Sequence, residues 1–170
     1  MAPATSNETI NLEHIIDTKN DIKRMLGYTS AFLWCNPGRL KDVYGKLRNA
    51  SVNRPFKIYL KKDIPDEFHI KNSDRIGDIL LLAEPGWTFV RKGGGPDHLQ
   101  GSFERGEHGY NNKRRIMCSD FMAAGPDFKS GFHTKTINIV DIYVLMCHLL
   151  NIPTLKHDGH FSRVEMFLKT

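Results

Sequence analysis

One apolar run, Ile79-Leu80-Leu81-Leu82-Ala83, constrains the fold of this chain more than any other feature. Five consecutive apolar residues leave no polar face, so a strand built from them must be covered on both sides. Pro85-Gly86 follows the run and precedes a second apolar segment, Trp87-Thr88-Phe89-Val90. Because Pro-Gly is typical of a turn, this order predicts a hairpin between the run and the second segment.

Further strands and helices are predicted on both sides of this run. Ala31 to Cys35 is apolar and stops at a turn sequence, and Phe56 to Leu60 is aromatic and β-branched, so both are predicted strands. Between them, four apolar residues recur at helical spacing: Leu40, Val43, Tyr44 and Leu47. This spacing predicts an amphipathic helix from Arg39 to Asn49. Alternating strands and helices favour the α/β class.

A second helix is predicted from Ile139 to Leu150, where the chain is apolar on most sides. Asn138 is the predicted N-cap, and Asp141 falls in the first turn, near the positive end of the helix dipole. This region is not a membrane span, because Asn138, Asp141 and His148 interrupt it and bilayer spans need about 20 apolar residues. We find no internal repeat, and residues 1–170 are predicted to lie in one domain.

Composition excludes several other classes of protein. Hydrophobic residues make up 40% and charged residues 25% of the 170, as in soluble globular chains. The net charge of +5 is spread along the sequence, with Lys113-Arg114-Arg115 as the only basic run of three, so no nucleic-acid polymer is expected as a partner. Met1 to Thr9 has neither a basic start nor an apolar stretch, so no signal peptide is visible.

Cysteines and glycosylation motifs bear on the cellular compartment. Cys35, Cys118 and Cys147 are too scattered for a disulfide framework, and Cys147 is predicted to be a buried thiol on the second helix. Cys118 has no base nearby in sequence that would make it a nucleophile. Two sequons, at Asn7 and Asn49, are candidate glycosylation sites and fit a secreted parent protein.

The segment Gly106-Glu107-His108-Gly109-Tyr110-Asn111-Asn112 has the composition of a site. Glycine on each side permits tight turns and close approach to a ligand, and a neutral imidazole is a common zinc ligand. The pattern alone does not separate a ligand from an ordinary loop histidine. The glycines of Gly93-Gly94-Gly95-Pro96 do not predict a phosphate-binding loop, because Pro96-Asp97-His98 does not start a helix.

The surrounding sequence resembles the later part of the catalytic domain of the ectonucleotide pyrophosphatase/phosphodiesterase family, in the alkaline phosphatase superfamily. The resemblance extends from about Ile10 to Leu150 and is carried, besides the His108 motif, by five segments: Lys57 to Pro65, Arg75 to Ala83, Glu84 to Thr88, Gly125 to Phe128 and Asn138 to Leu150. It implies the C-terminal portion of an alkaline-phosphatase-like mixed sheet with flanking helices. Residues 1–170 are then a partial phosphodiesterase catalytic domain.

The same resemblance implies a function and a site. Members hydrolyse phosphodiester or pyrophosphate bonds of nucleotides or choline phospholipids with two zinc ions and a threonine nucleophile, through a phosphothreonyl intermediate. His108 matches a zinc ligand of the family, and Glu107 is a candidate acceptor that orients the imidazole. Asn111 stands where many members carry aspartate. The parent protein is expected to be extracellular or on the cell surface, with membrane association only through parts outside this chain.

The family's nucleophile and other zinc ligands lie upstream, the last of them in a Ser-Asp-His-Gly-Met segment whose methionine matches Met1. We therefore expect no catalytic residue and at most one zinc ligand in this chain, which suggests an internal start or a fragment that is inactive alone. Two alternatives stay open: a non-catalytic binding protein on the same scaffold, and a small metal hydrolase using His108, His157 and His160. We favour solvated loop positions for His157 and His160, and packing roles for Trp87 and Tyr110.

Overall fold

The structure is a computed structural model that describes residues 1–5, 7–91 and 105–169. The chain divides into two compact units, residues 1–119 and residues 120–170. Whether both units belong to one catalytic domain, as the sequence predicts, stays a prediction. The glycine-rich stretch Gly93-Gly94-Gly95-Pro96 lies outside the described residues.

A four-stranded antiparallel sheet forms the centre of the first unit. Its strands are β3 (Ile22–Leu26), β4 (Ser30–Cys35), β5 (Phe56–Leu60) and β6 (Ile79–Ala83), in the spatial order β3-β4-β6-β5. All five residues of β6 are buried, as the apolar run predicts. The predicted strands at β4, β5 and β6 are confirmed.

Helix α1 (Leu40–Ser51) covers one face of this sheet. Val43 and Leu47, two residues of the predicted apolar stripe, are fully buried and belong to the same core as Leu33 and Leu81. The helix is confirmed and ends two residues beyond the predicted Asn49. Because α1 buries its stripe against alternate residues of β4 and β6, the helix and the sheet stabilise each other.

A buried carboxylate ties the start of α1 to the start of β3. Asp21 is fully buried next to β3, and its Oδ1 accepts a hydrogen bond from Arg39 Nε at 2.8 Å. Lys46 Nζ lies 3.7 Å from its other oxygen, and Asp17 N donates to that oxygen at 3.1 Å. Both lone-pair regions of this buried charge are thus partnered, which is the condition for tolerating it inside a fold.

The predicted hairpin between β6 and the segment after Pro85-Gly86 is wrong. Strand β7 (Thr88–Val90) forms, but it pairs in parallel with β2 (Thr9–Asn11). The reason lies in the sheet order, because β4 and β5 occupy both edges of β6 and leave no free ladder. The turn itself is present, with Trp87 N donating to Glu84 O at 3.0 Å and Gly86 at φ +99°.

A second two-stranded ribbon joins the two ends of the first unit's described sequence. Strand β1 (Ala2–Ala4) pairs antiparallel with β8 (Arg105–Glu107), with Ala2 opposite Glu107. The sequence predicted neither of these strands, nor β2 or β3. Among the described residues the β-structure includes both parallel and antiparallel pairings, and together with helix α1 it confirms the predicted α/β class.

The second unit is built around helix α2 (Asp141–Leu149). Leu145 packs with Val164, Phe167 and Leu168 in a separate small core, and Cys147 is buried as predicted. The predicted N-cap is wrong: Val140 occupies the cap position and makes no side-chain cap bond. The buried carboxylate of Asp141, at the first position of the helix, instead binds the flanking chain, accepting from Asn138 N at 3.3 Å and from His160 N at 2.9 Å.

Among the residues that the structure describes, no helix has the length and hydropathy required to cross a bilayer.

Core truncation in the sheet tests this architecture. Leu81→Ala, in the fully buried centre of β6, should lower the free energy of unfolding of the 170-residue chain by about 2–5 kcal/mol, because a cavity remains. Leu26→Ala, in β3 of the same sheet, removes the same atoms from a half-exposed side chain and should cost less than about 1 kcal/mol. Urea denaturation measures both, and equal losses contradict the assigned core.

Candidate metal-binding site

His108 directly follows β8 and is exposed to solvent. Its strand is fixed by the antiparallel ladder to β1, in which Pro3 lies opposite Gly106 and Ala2 opposite Glu107. The imidazole is therefore carried at the end of a paired strand, where its ring nitrogens are open to a ligand.

A hydrogen bond from a distant residue holds the backbone of His108. Thr29 Oγ1 donates to the His108 carbonyl oxygen at 2.7 Å, and Thr29 is buried immediately before β4. The threonine is itself held on both sides: its carbonyl accepts from Ala83 N at 2.8 Å, and the carbonyl of Tyr28 accepts from Phe89 N at 2.7 Å. Thr29 thus joins the sheet, the β2–β7 pair and the histidine.

Gly109 is required by geometry. Its φ of +87° is in the left-handed region, and a Cβ at this position would lie 2.7 Å from Thr29 Oγ1. Any other residue would therefore be strained and would also push away the hydroxyl that holds His108. The second glycine of the motif serves close packing against Thr29.

The residues after Gly109 anchor the other side of the segment. Tyr110 is buried in the main core, in agreement with the packing role predicted for it, and burial raises the pKa of its phenol because the phenolate is disfavoured there. Asn111 Oδ1 accepts from Lys113 N at 2.9 Å, and Arg114 pairs with Glu84 at 2.7 Å. The histidine is held in place on both sides while its side chain stays accessible.

The exposed imidazole of His108 is chemically suited to bind zinc, but it would supply only one of the ligands that a zinc site needs. Within neither unit do the described residues gather three His, Cys, Asp or Glu side chains that could hold a metal ion. Zinc sites in proteins use three or four such ligands, so the described residues do not complete one. Glu107 is half-buried in β8, and its predicted role as the orienting acceptor stays a prediction.

His157 and His160 lie in an exposed loop of the second unit. The Nδ1 atom of His157 accepts from Gly159 N at 3.1 Å, and its ring contacts Tyr143 with centroids 5.6 Å apart. His160 uses its backbone N–H to bind Asp141. These contacts are made with the loop itself and with helix α2, and both histidines stay exposed, in agreement with the predicted solvated positions.

The other residues considered in the sequence analysis do not form a common site within the described residues. Trp87 packs against the main core. Cys35 is half-buried, and burial, with the nearby charges of Asp78 and Asp21, raises the pKa of its thiol to about 11, so it is a poor nucleophile. The two sequon asparagines, Asn7 and Asn49, are both exposed.

Thr29, which binds the backbone of the candidate zinc ligand, was not identified by the sequence analysis. It lies in the turn Gly27-Tyr28-Thr29-Ser30, which has no motif character. Its importance comes from a contact with a residue 79 positions away, and no local pattern reports such a contact.

Comparisons of the sequence with known proteins all identify the same family. A sequence profile described as type I phosphodiesterase / nucleotide pyrophosphatase matches residues 1–111. Human bis(5′-adenosyl)-triphosphatase is 39% identical over 127 residues, which cover 75% of this chain and 26% of that protein. The chain thus spans about a quarter of the length of this curated relative.

Solved structures agree with the sequence comparison. Human ectonucleotide pyrophosphatase/phosphodiesterase 5 matches with a TM-score of 0.84 and 29% identity, over 99% of this chain and 42% of that one. An inactive threonine-to-alanine variant of the murine counterpart, in complex with AMP, matches with a TM-score of 0.84 and 30% identity, over 98% of this chain and 42% of that one. This similarity confirms the predicted alkaline-phosphatase-like α/β fold.

A pair of glycine substitutions tests the contact between Gly109 and Thr29. Gly109 and Gly38 both have positive φ, +87° and +77°, but a Cβ on Gly38 would meet nothing within 4 Å. Gly38→Ala should therefore cost only the backbone term, about 1–2 kcal/mol. Gly109→Ala should cost about 1–3 kcal/mol more because of the clash. Urea denaturation of both variants measures the difference, and equal costs contradict the close approach.

Proposed function

This chain belongs to the type I phosphodiesterase / nucleotide pyrophosphatase family, and from that premise we propose that it forms part of a zinc-dependent phosphodiesterase in which His108 is a zinc ligand. The reaction is hydrolysis of a phosphodiester or pyrophosphate bond. The parent protein supplies the threonine nucleophile and the other zinc ligands from residues outside this chain. Glu107 orients the imidazole from the neighbouring position.

The β1–β8 register is the observation that carries this proposal. Ala2 lies opposite Glu107, so continuing the antiparallel ladder by one residue sets Met1 opposite His108. In the family, the Asp-His pair of the upstream segment stands just before the position of Met1. In a longer protein, residues preceding Met1 would extend β1 alongside His108, which is where its co-ligands are needed.

His108 contributes a lone pair from a neutral imidazole on a fixed backbone. Zinc, when bound, acts as a Lewis acid that stabilises charge on the phosphate. The protein's part is to hold the imidazole in one orientation, which the Thr29 bond and the Gly109 turn favour by fixing the backbone. A single imidazole binds zinc weakly, since affinity comes from a complete, preorganised ligand set.

Nucleotides are the substrate class that the comparisons favour. The human relative is named for hydrolysis of a dinucleoside triphosphate, and the murine structure holds AMP in a threonine variant that is inactive. Choline phospholipids are the alternative substrate class, and the assay described below distinguishes the two classes. The exposed sequons at Asn7 and Asn49 agree with an extracellular or cell-surface parent.

The isolated chain provides the first test. The purified 170 residues should show no turnover of p-nitrophenyl thymidine monophosphate or p-nitrophenyl phosphorylcholine with added zinc, because the nucleophile is absent. A longer form that includes the upstream segment is the positive control, and the substrate it prefers separates the two classes. Zinc-dependent turnover by the chain alone that is lost in His157→Ala or His160→Ala would instead establish the small metal hydrolase.

Substitution of His108 provides the second test, in the longer form. His108→Ala removes a direct zinc ligand, and since loss of groups that only orient ligands costs 10 to 100-fold, kcat/KM should fall by at least about that factor. Zinc content, measured by mass spectrometry, should fall with it. His160→Ala is the matched control and should stay within a few-fold of the parent. Similar behaviour of the two variants refutes the assignment of His108.

A further inference from the structure

Thr29 is a buried residue whose hydroxyl binds the backbone of His108. We propose that Thr29 is a positioning residue for the metal site, which sets the direction of the His108 side chain by binding its backbone carbonyl. This inference rests on the proposed zinc role of His108. Thr29 does not touch the metal or the substrate, and it acts only through the histidine.

The hydrogen bond has the properties that positioning requires. At 2.7 Å it is at the usual length for an O–H···O bond, and Thr29 is only 6% exposed, so water does not compete strongly for the hydroxyl. The accepting carbonyl belongs to the peptide that links His108 to Gly109, whose φ is +87°. Fixing this peptide plane restrains the torsion ψ of His108, and with it the direction in which the Cα–Cβ bond leaves the backbone.

Thr29 is rigid enough to act as a reference point. Its carbonyl oxygen accepts from Ala83 N of β6, and the carbonyl oxygen of Tyr28 before it accepts from Phe89 N of β7. A β-branched side chain also has few χ1 rotamers, so the hydroxyl is directed by the backbone that carries it. Through Thr29, the backbone of His108 is thus connected by hydrogen bonds to β6, the most buried strand of the sheet, as well as to its own exposed loop.

Thr88 provides a matched control within the same unit. It is 1% exposed, and its hydroxyl has no hydrogen-bond partner among the described residues. Thr88→Val and Thr29→Val make the same near-isosteric change at buried positions, but only the second removes a bond to His108. A general effect of losing a buried hydroxyl would appear in both variants, whereas positioning would appear only at Thr29.

The first experiment uses the 170-residue chain and needs no zinc. Nitrogen-15 relaxation should give His108 and Gly109 order parameters near 0.85 in the parent, and these should fall toward 0.6 in Thr29→Val. The carbonyl carbon-13 shift of His108 should move at the same time. Thr29→Ser, which keeps the hydroxyl, and Thr88→Val should resemble the parent. If Thr29→Val leaves His108 and Gly109 unchanged, or if Thr88→Val alters them equally, the positioning role is overturned.

The second experiment measures zinc affinity by chelator competition in the longer form. Thr29→Val should weaken zinc binding about tenfold, the lower end for groups that orient metal ligands, with rescue by Thr29→Ser and no change in Thr88→Val. If His108→Ala loses zinc but Thr29→Val retains full affinity, the inference fails while the proposed function stands. If His108→Ala itself retains zinc, the proposed function fails, whatever the relaxation measurements give.

Discussion

The burial of β6 on both faces and both edges is the constraint on which the first unit depends. Its five apolar residues are covered by α1 on one side and flanked by β4 and β5 in the sheet plane. Because β6 has no free edge, the next segment must pair elsewhere, and β7 joins β2. The turn before β4 is bound to the end of β6 through Thr29, and that turn holds His108. The position of the candidate ligand therefore derives from the hydrophobic effect acting on a strand distant in sequence.

The sequence predicted those parts of the fold whose signals are local. The apolar run of β6 and the helical spacing of α1 each lie within about a dozen residues, and the strand and the helix that they predict were confirmed. Strand β3 was missed because exposed Lys23 and Arg24 interrupt its apolar pattern. The hairpin was wrongly predicted because turn chemistry is local, whereas the availability of a strand edge depends on the whole sheet. Thr29 was missed for the same reason, since nothing near it reports its contact with His108.

The site is organised as an accessible side chain on a restrained backbone. The ladder to β1, the Thr29 bond, the Gly109 turn and the buried ring of Tyr110 all act on main-chain atoms or neighbours of His108 and leave its imidazole exposed. This division suits a metal ligand, because one ring nitrogen must reach the metal at a fixed angle while the other stays available to donate to an orienting group. It also explains why the motif needs glycine after the histidine, where a Cβ would fill the space occupied by the threonine hydroxyl.

The β1–β8 ribbon has a consequence for how the protein folds. It pairs residue 2 with residue 107, so the loop it closes includes almost the whole first unit. Contacts of such long sequence separation carry a large closure entropy and form slowly unless the intervening chain is already compact. This topology favours completion of the backbone beside His108 after the sheet and α1 have collapsed. In a chain that has not finished folding, His108 lacks the paired strand that fixes its backbone, so the zinc role proposed for His108 requires a core that is already intact.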